Sequence, residues 1–332
     1  MIKKISKYDL EKVEYYKENG FIDAAVEIPC GCNFHCKYCY RDGIIPHLSY
    51  EKIINVFEKL KDMGVINIYL TGGEVFTYNH FIKLYLYLKN NGFIVYILSN
   101  GSKIYHYNDI LKKYPPADIF ITLYGTNENE YTEFVGVPNQ FREVIKSLTF
   151  LTENNIPFSL NTHVTKINFD NVMAGKYDEI GTSYQKKINY NYMLIPTLTG
   201  DIYPLNYQLE EKYVIKFLNK YNSKNKKYNR SDFLCKSGIY SIMVNNCEYF
   251  TVCLKDRNNK FSTEMACSDL IASIKERATK IKKEANLLNC AVCDINSDCE
   301  WCPVQFEFNR RHNEYICKLK QRIAQDYIER KK

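Results

Sequence analysis

Thirteen cysteines are distributed so unevenly that they divide this chain of 332 residues before any other feature is read. Cys30, Cys32, Cys36 and Cys39 lie close together near the start, none follows until Cys235, and Cys247, Cys253, Cys267, Cys290, Cys293, Cys299, Cys302 and Cys317 complete the set. The run Cys32-Asn33-Phe34-His35-Cys36-Lys37-Tyr38-Cys39 has the spacing CxxxCxxC. It differs from the ferredoxin order of gaps and from the paired CxxC of zinc sites. Three thiolates on one short loop can wrap a [4Fe–4S] cluster and leave one iron open, because such a cluster ordinarily takes four. No apolar run reaches the roughly 18 residues of a membrane span, and the basic start is not followed by an apolar export segment. A cytoplasmic, reducing setting is therefore expected, in which clustered cysteines are metal ligands rather than disulfides. The net charge of +7 is spread along the chain, which reads as a solvated surface and not as a nucleic-acid interface.

The cysteine-free middle alternates short β-rich runs with apolar stripes of helical spacing, the pattern of βα units around a parallel sheet. Strands are expected over 24–28, 65–71, 93–98, 118–123, 158–164 and 188–195. Helix stripes run through Tyr50, Ile53 and Phe57, through Phe81, Leu84 and Leu88, and through Phe141, Val144 and Leu148. A further helix around Tyr213 and Phe217 precedes a polar linker. The expected organisation is a lead segment (1–23), an α/β partial (β/α)6 barrel (24–205), a bridging helix and linker (206–230) and a small cysteine-rich C-terminal domain (231–332). Chemistry in such barrels gathers at the C-terminal ends of the strands.

The cysteine loop, the aromatic Tyr38 before its last cysteine, and Thr71-Gly72-Gly73-Glu74 some 30 residues later at a strand end closely resemble the radical SAM (S-adenosylmethionine) superfamily. The resemblance implies that Cys32, Cys36 and Cys39 hold a [4Fe–4S] cluster whose open iron takes SAM. It assigns Gly72, Gly73 and Glu74 to the cofactor's amino group, a role suited to glycines that admit a close approach and to a carboxylate facing an amine. Val75 stands where the family often has proline. Ser99 and Asn100, in the strand-end turn Leu98-Ser99-Asn100-Gly101, would face the cofactor's ribose or carboxylate. Tyr38 would pack at the adenine, and Thr122 and Asn161 at the next strand ends are further candidates. Cys30 is read either as a hydrogen-atom donor or as a spare buried thiol.

The C-terminal block CxxCxxxxxCxxC, followed by Cys317, resembles the SPASM domain, which holds two auxiliary [4Fe–4S] clusters. Carried over by position, Cys290, Cys293, Cys299 and Cys317 would bind the outer cluster and Cys235, Cys253 and Cys302 the inner one. Cys247 or Cys267 is a possible fourth ligand, or that iron stays open. Two departures are a gap between Cys299 and Cys302 one residue short and Glu248 where a glycine is expected. Structural zinc is the rival occupant. The resemblance implies an oxygen-sensitive enzyme that cleaves SAM reductively and abstracts hydrogen from a substrate. Modification of a ribosomally made peptide by crosslinking, thioether formation or epimerisation is the leading reading. Oxidation of a small molecule or protein side chain is the alternative, and a non-catalytic iron–sulfur carrier the third. A flavodoxin or ferredoxin would supply electrons. Because 31 residues precede Cys32, a leader-binding function is expected from a separate protein.

Overall fold

The computed structural model describes residues 15–16, 19–42, 45–221, 236–287, 304, 317–319 and 321–322. Cys235, Cys290, Cys293, Cys299 and Cys302 lie outside the described residues.

Six strands follow one another in parallel register: β1 (Asp23–Glu27), β2 (Asn67–Thr71), β3 (Ile94–Ser99), β4 (Asp118–Thr122), β5 (Phe158–His163) and β6 (Ile188–Asn191). Parallel neighbours need crossovers, supplied here by α1 (Tyr50–Asp62), α2 (Phe81–Asn90), α3 (Asn108–Lys113), α4 (Glu128–Val135), α5 (Gln140–Glu153), α6 (Phe169–Ala174) and α7 (Lys176–Ser183). The α1 stripe buries Ile53, Val56, Phe57 and Leu60, and its start is fixed by Ser49, whose hydroxyl accepts the Lys52 N–H. That satisfies one of the donors a helix leaves open at its first turn. Asn127 caps α4 in the same way through the Glu130 N–H, and Gly136 ends it in the left-handed conformation.

Alternation along the strands separates two faces. Val26, Leu70, Ile97, Ile121 and Leu160 are wholly buried in the core beneath the helices. The opposite face carries Tyr69, Tyr96, Phe120, Thr122, Asn161 and His163, all half-buried, and Leu98, which is 38% exposed. Tyr69 and Tyr96 stack there with centroids 4.5 Å apart. This second face is thus left partly uncovered at the height where the strands end.

The sheet does not stop at six strands. After α8 (Glu211–Tyr221), β7 (Ser241–Asn245) pairs in parallel with β1, and β8 (Tyr249–Thr251) and β9 (Phe261–Ser262) continue antiparallel. The resulting order is β6-β5-β4-β3-β2-β1-β7-β8-β9, and α9 (Cys267–Leu287) follows. The β7–β8 hairpin turns through Asn246 and Cys247, at φ 48° and 56°, with the Glu248 N–H donating to Asn245 O at 2.9 Å. Two left-handed residues are what a two-residue hairpin turn requires. They fall at 246 and 247, so Glu248 is spared the conformation that would have asked for glycine.

Candidate active site

The cysteine loop leaves β1 and is held from two sides. On one side the His35 N–H donates to Val135 O at 2.8 Å and the Lys37 N–H to Phe134 O at 3.1 Å, using carbonyls at the end of α4. On the other, the segment after β6 straps the loop: Leu198 N–H to Tyr40 O at 2.9 Å, and Tyr203 Oη to Cys39 O at 3.3 Å. Cys32 is exposed, and Cys36 and Cys39 are half-buried. Polar groups that favour a thiolate surround each sulfur. The Phe34 N–H reaches Cys32 Sγ at 3.4 Å and Asn100 Nδ2 lies 4.0 Å from it, while the Tyr124 side chain and the Arg41 backbone N–H favour the thiolate form of Cys36 and Cys39.

Desolvation by the surrounding protein pushes all three free thiols upward, Cys32 included although that residue as a whole keeps exposed surface. An iron charge reverses that preference, because a coordinating thiol is deprotonated. Donors aimed at sulfur suit thiolates bound to a cluster, so this donor set fits one. Among the described residues, no three His, Cys, Asp or Glu side chains form a cage for a single metal ion.

The Gly72-Gly73-Glu74 turn at the end of β2 backs directly onto this loop. A Cβ on Gly73 would lie 2.1 Å from Gly31 O, and one on Gly72, at φ 150°, would lie 2.8 Å from Ile28 O. The glycines therefore serve the contact between two main chains, a packing need as well as the ligand need read from sequence. Glu74 has no exposed surface. Its Oε1 accepts from Ser99 Oγ at 2.8 Å and the Phe76 N–H at 3.2 Å, and its Oε2 accepts from the Asn100 N–H at 2.7 Å. Burial outweighs those bonds and moves its pKa up to about 7. The carboxylate thus organises the turn at the end of β3. Asn100 then reaches the cysteine loop, donating to Asn33 Oδ1 at 3.1 Å, while Asn33 donates to Ser102 Oγ at 2.9 Å.

Tyr38, Ser99, Asn100, Thr122 and Asn161 all come to the same end of the sheet, with Thr122 and Asn161 side by side in register. Cys30 does not join them. It is buried against the glycine turn, its Sγ 3.0 Å from where a Cβ on Gly72 would lie, and burial pushes its pKa up to about 12. Cys247 is also buried, with Sγ 3.6 Å from Glu27 O. Cys253 and Cys267 are half-buried near β8 and at the start of α9, and Cys317 is exposed.

Several participants escaped the sequence reading. His163 ends β5 beside Tyr38, and Tyr124 contacts Cys36. Arg41 donates to Cys30 O at 3.2 Å and to Asn246 Oδ1 at 3.1 Å, joining the loop to the β7–β8 hairpin. Beneath it lies a buried ion pair, Arg257 Nη2 to Glu27 Oε1 at 2.7 Å. The strand-end rule could have found His163; nothing local marks the Arg257–Glu27 pair.

The profile of the Radical SAM superfamily matches residues 26–173, so this stretch is a radical SAM domain. An AdoMet-dependent heme synthase of Methanosarcina barkeri is 24% identical over 184 residues, 53% of this chain and 52% of that protein. The sporulation killing factor maturation protein SkfB of Bacillus subtilis is 28% identical over 164 residues, 46% of this chain and 40% of that protein. The chain thus spans about half the length, or less, of these curated relatives. Among solved structures, Streptococcus suis SuiB bound to the precursor peptide SuiA superposes with a TM-score of 0.65 at 14% identity, covering 90% of this chain and 76% of that one. The fold is accordingly that of the radical SAM partial barrel, and the chain resembles SPASM-type peptide maturases. No helix among the described residues is long and apolar enough to cross a membrane.

Proposed function

With residues 26–173 established as a radical SAM domain, we infer that the chain binds SAM at a cluster held by Cys32, Cys36 and Cys39 and acts on a ribosomally made peptide. The observation that carries the site is the donor set around these thiols, joined by the Asn33–Asn100–Glu74 network to the glycine turn. When bound, the cluster and SAM supply reductive cleavage and a radical able to take hydrogen from an unactivated carbon.

The protein's own residues do the rest. The main chain of Gly72 and Gly73, with Glu74 fixing the neighbouring turn, shapes the place for the methionine end. Phe34, Tyr38, Tyr124 and Phe134 exclude water from one side of the loop by edge and tilted ring contacts. The uncovered second face, with Leu98 and the row Thr122–Asn161–Asn189 across β4 to β6, receives the substrate.

Peptide as substrate is supported by the likeness to SuiB, solved with its precursor peptide, and to a killing-factor maturation protein. The heme-synthase relative favours the second reading, oxidation of a small molecule. Auxiliary clusters on the C-terminal cysteines, an electron donor of the flavodoxin or ferredoxin kind and a separate leader-binding protein complete the proposal. Anaerobically reconstituted protein is incubated with SAM, reductant and a deuterated precursor peptide encoded next to it. Deuterium in 5′-deoxyadenosine supports the peptide reading. SAM cleavage with no deuterium transfer from any neighbouring peptide refutes it.

A further inference from the structure

Three side chains link the cysteine loop to the ends of β5 and β6. Tyr38 Oη lies 3.4 Å from His163 Nδ1, and His163 Nε2 lies 3.3 Å from Asn191 Nδ2. His163 and Asn191 are direct neighbours in the β5–β6 register.

Chemistry fixes the direction of each contact. The Met193 N–H donates to Asn191 Oδ1 at 3.0 Å, which commits that oxygen and turns the amide NH2 toward the ring. An NH2 only donates, so His163 Nε2 must carry its lone pair. A neutral imidazole then holds its proton on Nδ1 and donates it to Tyr38 Oη. Burial keeps the ring neutral, pulling its pKa down to about 4. An imidazolium would set an N–H against the Asn191 NH2. With its oxygen engaged as an acceptor, the Tyr38 hydroxyl has its own proton to give elsewhere. Among the described residues, no hydrogen bond of that hydroxyl is recorded other than the one to His163.

What lies within reach is set by the surroundings. Tyr38 sits between Cys36 and Cys39, and its ring is edge-on to Phe134 at 5.3 Å and tilted against Tyr124 at 6.1 Å and His163 at 5.1 Å. Phe134 is buried behind Tyr38, whereas Tyr38, Tyr124 and His163 keep part of their surface exposed, and aromatic surface of this kind suits a flat heteroaromatic ring whose nitrogens accept hydrogen bonds. We propose that His163 is a positioning residue that makes the Tyr38 hydroxyl a fixed hydrogen-bond donor to the adenine ring of SAM. This rests on the assignment of the cysteine loop to a SAM-binding cluster.

The test is the affinity of cluster-loaded protein for radiolabelled SAM, measured by equilibrium dialysis, with iron and sulfide content checked in every variant. Tyr38→Phe and His163→Phe are each expected to weaken SAM binding five- to twentyfold at unchanged iron content. The double variant should be no weaker than Tyr38→Phe alone, because His163 acts through that hydroxyl. His163→Gln, which keeps one donor and one acceptor, should recover part of the loss. Unchanged affinity in His163→Phe overturns the proposal, and so do losses that add in the double variant. A second readout is independent of SAM: the ¹⁵N shifts of the His163 ring should report the Nδ1–H tautomer, and an Nε2–H tautomer overturns the proposal. Wild-type protein that carries iron but binds no SAM would instead refute the cluster assignment beneath it, a failure seen before any variant is compared.

Discussion

Glu74→Gln tests the unusual state of the carboxyl at the centre of the site. Glu74 is fully buried, and its pKa of about 7 lies above its ordinary 4.5. Between those values the folded protein binds a proton that the unfolded chain has released, so stability falls as pH rises. The contribution is complete below pH 4.5 and is lost as pH passes about 7. At about 1.4 kcal/mol per tenfold change, the loss between pH 5 and 8 amounts to roughly 3 kcal/mol. Glutamine does not titrate and removes this slope. With its oxygen toward the Asn100 N–H, its NH2 faces Ser99 Oγ, which can accept, and the Phe76 N–H, which cannot. One lost bond costs about 1 kcal/mol. The variant should therefore be about 1 kcal/mol less stable than wild type at pH 5 and roughly 2 kcal/mol more stable at pH 8. Urea unfolding of the metal-free protein at half-unit steps of pH gives the two curves, and pH effects common to both cancel in their difference. Parallel curves would refute the reasoning, because they would mean that Glu74 titrates alike in the folded and unfolded chain.

Other outcomes follow from the same geometry. Replacing Cys32, Cys36 and Cys39 together by alanine should remove about four iron and four sulfide per chain from the roughly 12 of each that three clusters would hold, and abolish SAM cleavage. Iron analysis with a 5′-deoxyadenosine assay checks both. Glu74 is buried with both oxygens engaged, so Glu74→Gln also tests the amine contact that the family resemblance implies: a direct charge-assisted bond gives roughly 10- to 100-fold weaker SAM binding at normal iron content, read by titration, and a role confined to the turn gives much less. Gly73→Ala forces a methyl against Gly31 O and should cost about 1–3 kcal/mol in urea unfolding. Arg257→Met leaves Glu27 buried without its 2.7 Å partner and should cost about 3–5 kcal/mol, while Glu27→Gln in the same chain should recover much of it.

How much of this was legible in the sequence depends on how far each signal reaches along the chain. Periodicity is a local property, so β4 was placed to within a residue and α1, α2 and α5 followed their stripes. The strand-end rule then brought Tyr38, Ser99, Asn100, Thr122 and Asn161 to one end of the sheet. The β7–β9 extension was missed because β7 pairs with β1 across more than two hundred residues, and its three-residue and two-residue partners carry almost no pattern of their own. Glu27 shows the same limit more sharply. At the end of a strand it reads as one polar position among several, yet it is wholly buried, and the guanidinium that compensates it at 2.7 Å comes from Arg257, with Arg41 Nε 3.9 Å from the same oxygen. Its second oxygen, Oε2, has no hydrogen-bond partner among the described residues, while its backbone oxygen takes the Cys247 thiol. A lone buried carboxylate is too costly to persist without such a partner. The β7–β8 hairpin and Arg257 therefore stabilise β1, and through Arg41 they stabilise the cysteine loop that β1 feeds. The C-terminal part is in this sense a structural support of the SAM end of the molecule, whatever its cysteines hold. That dependence is written in three-dimensional contacts between residues 27, 41, 246 and 257, and no reading of spacing along the chain reaches it.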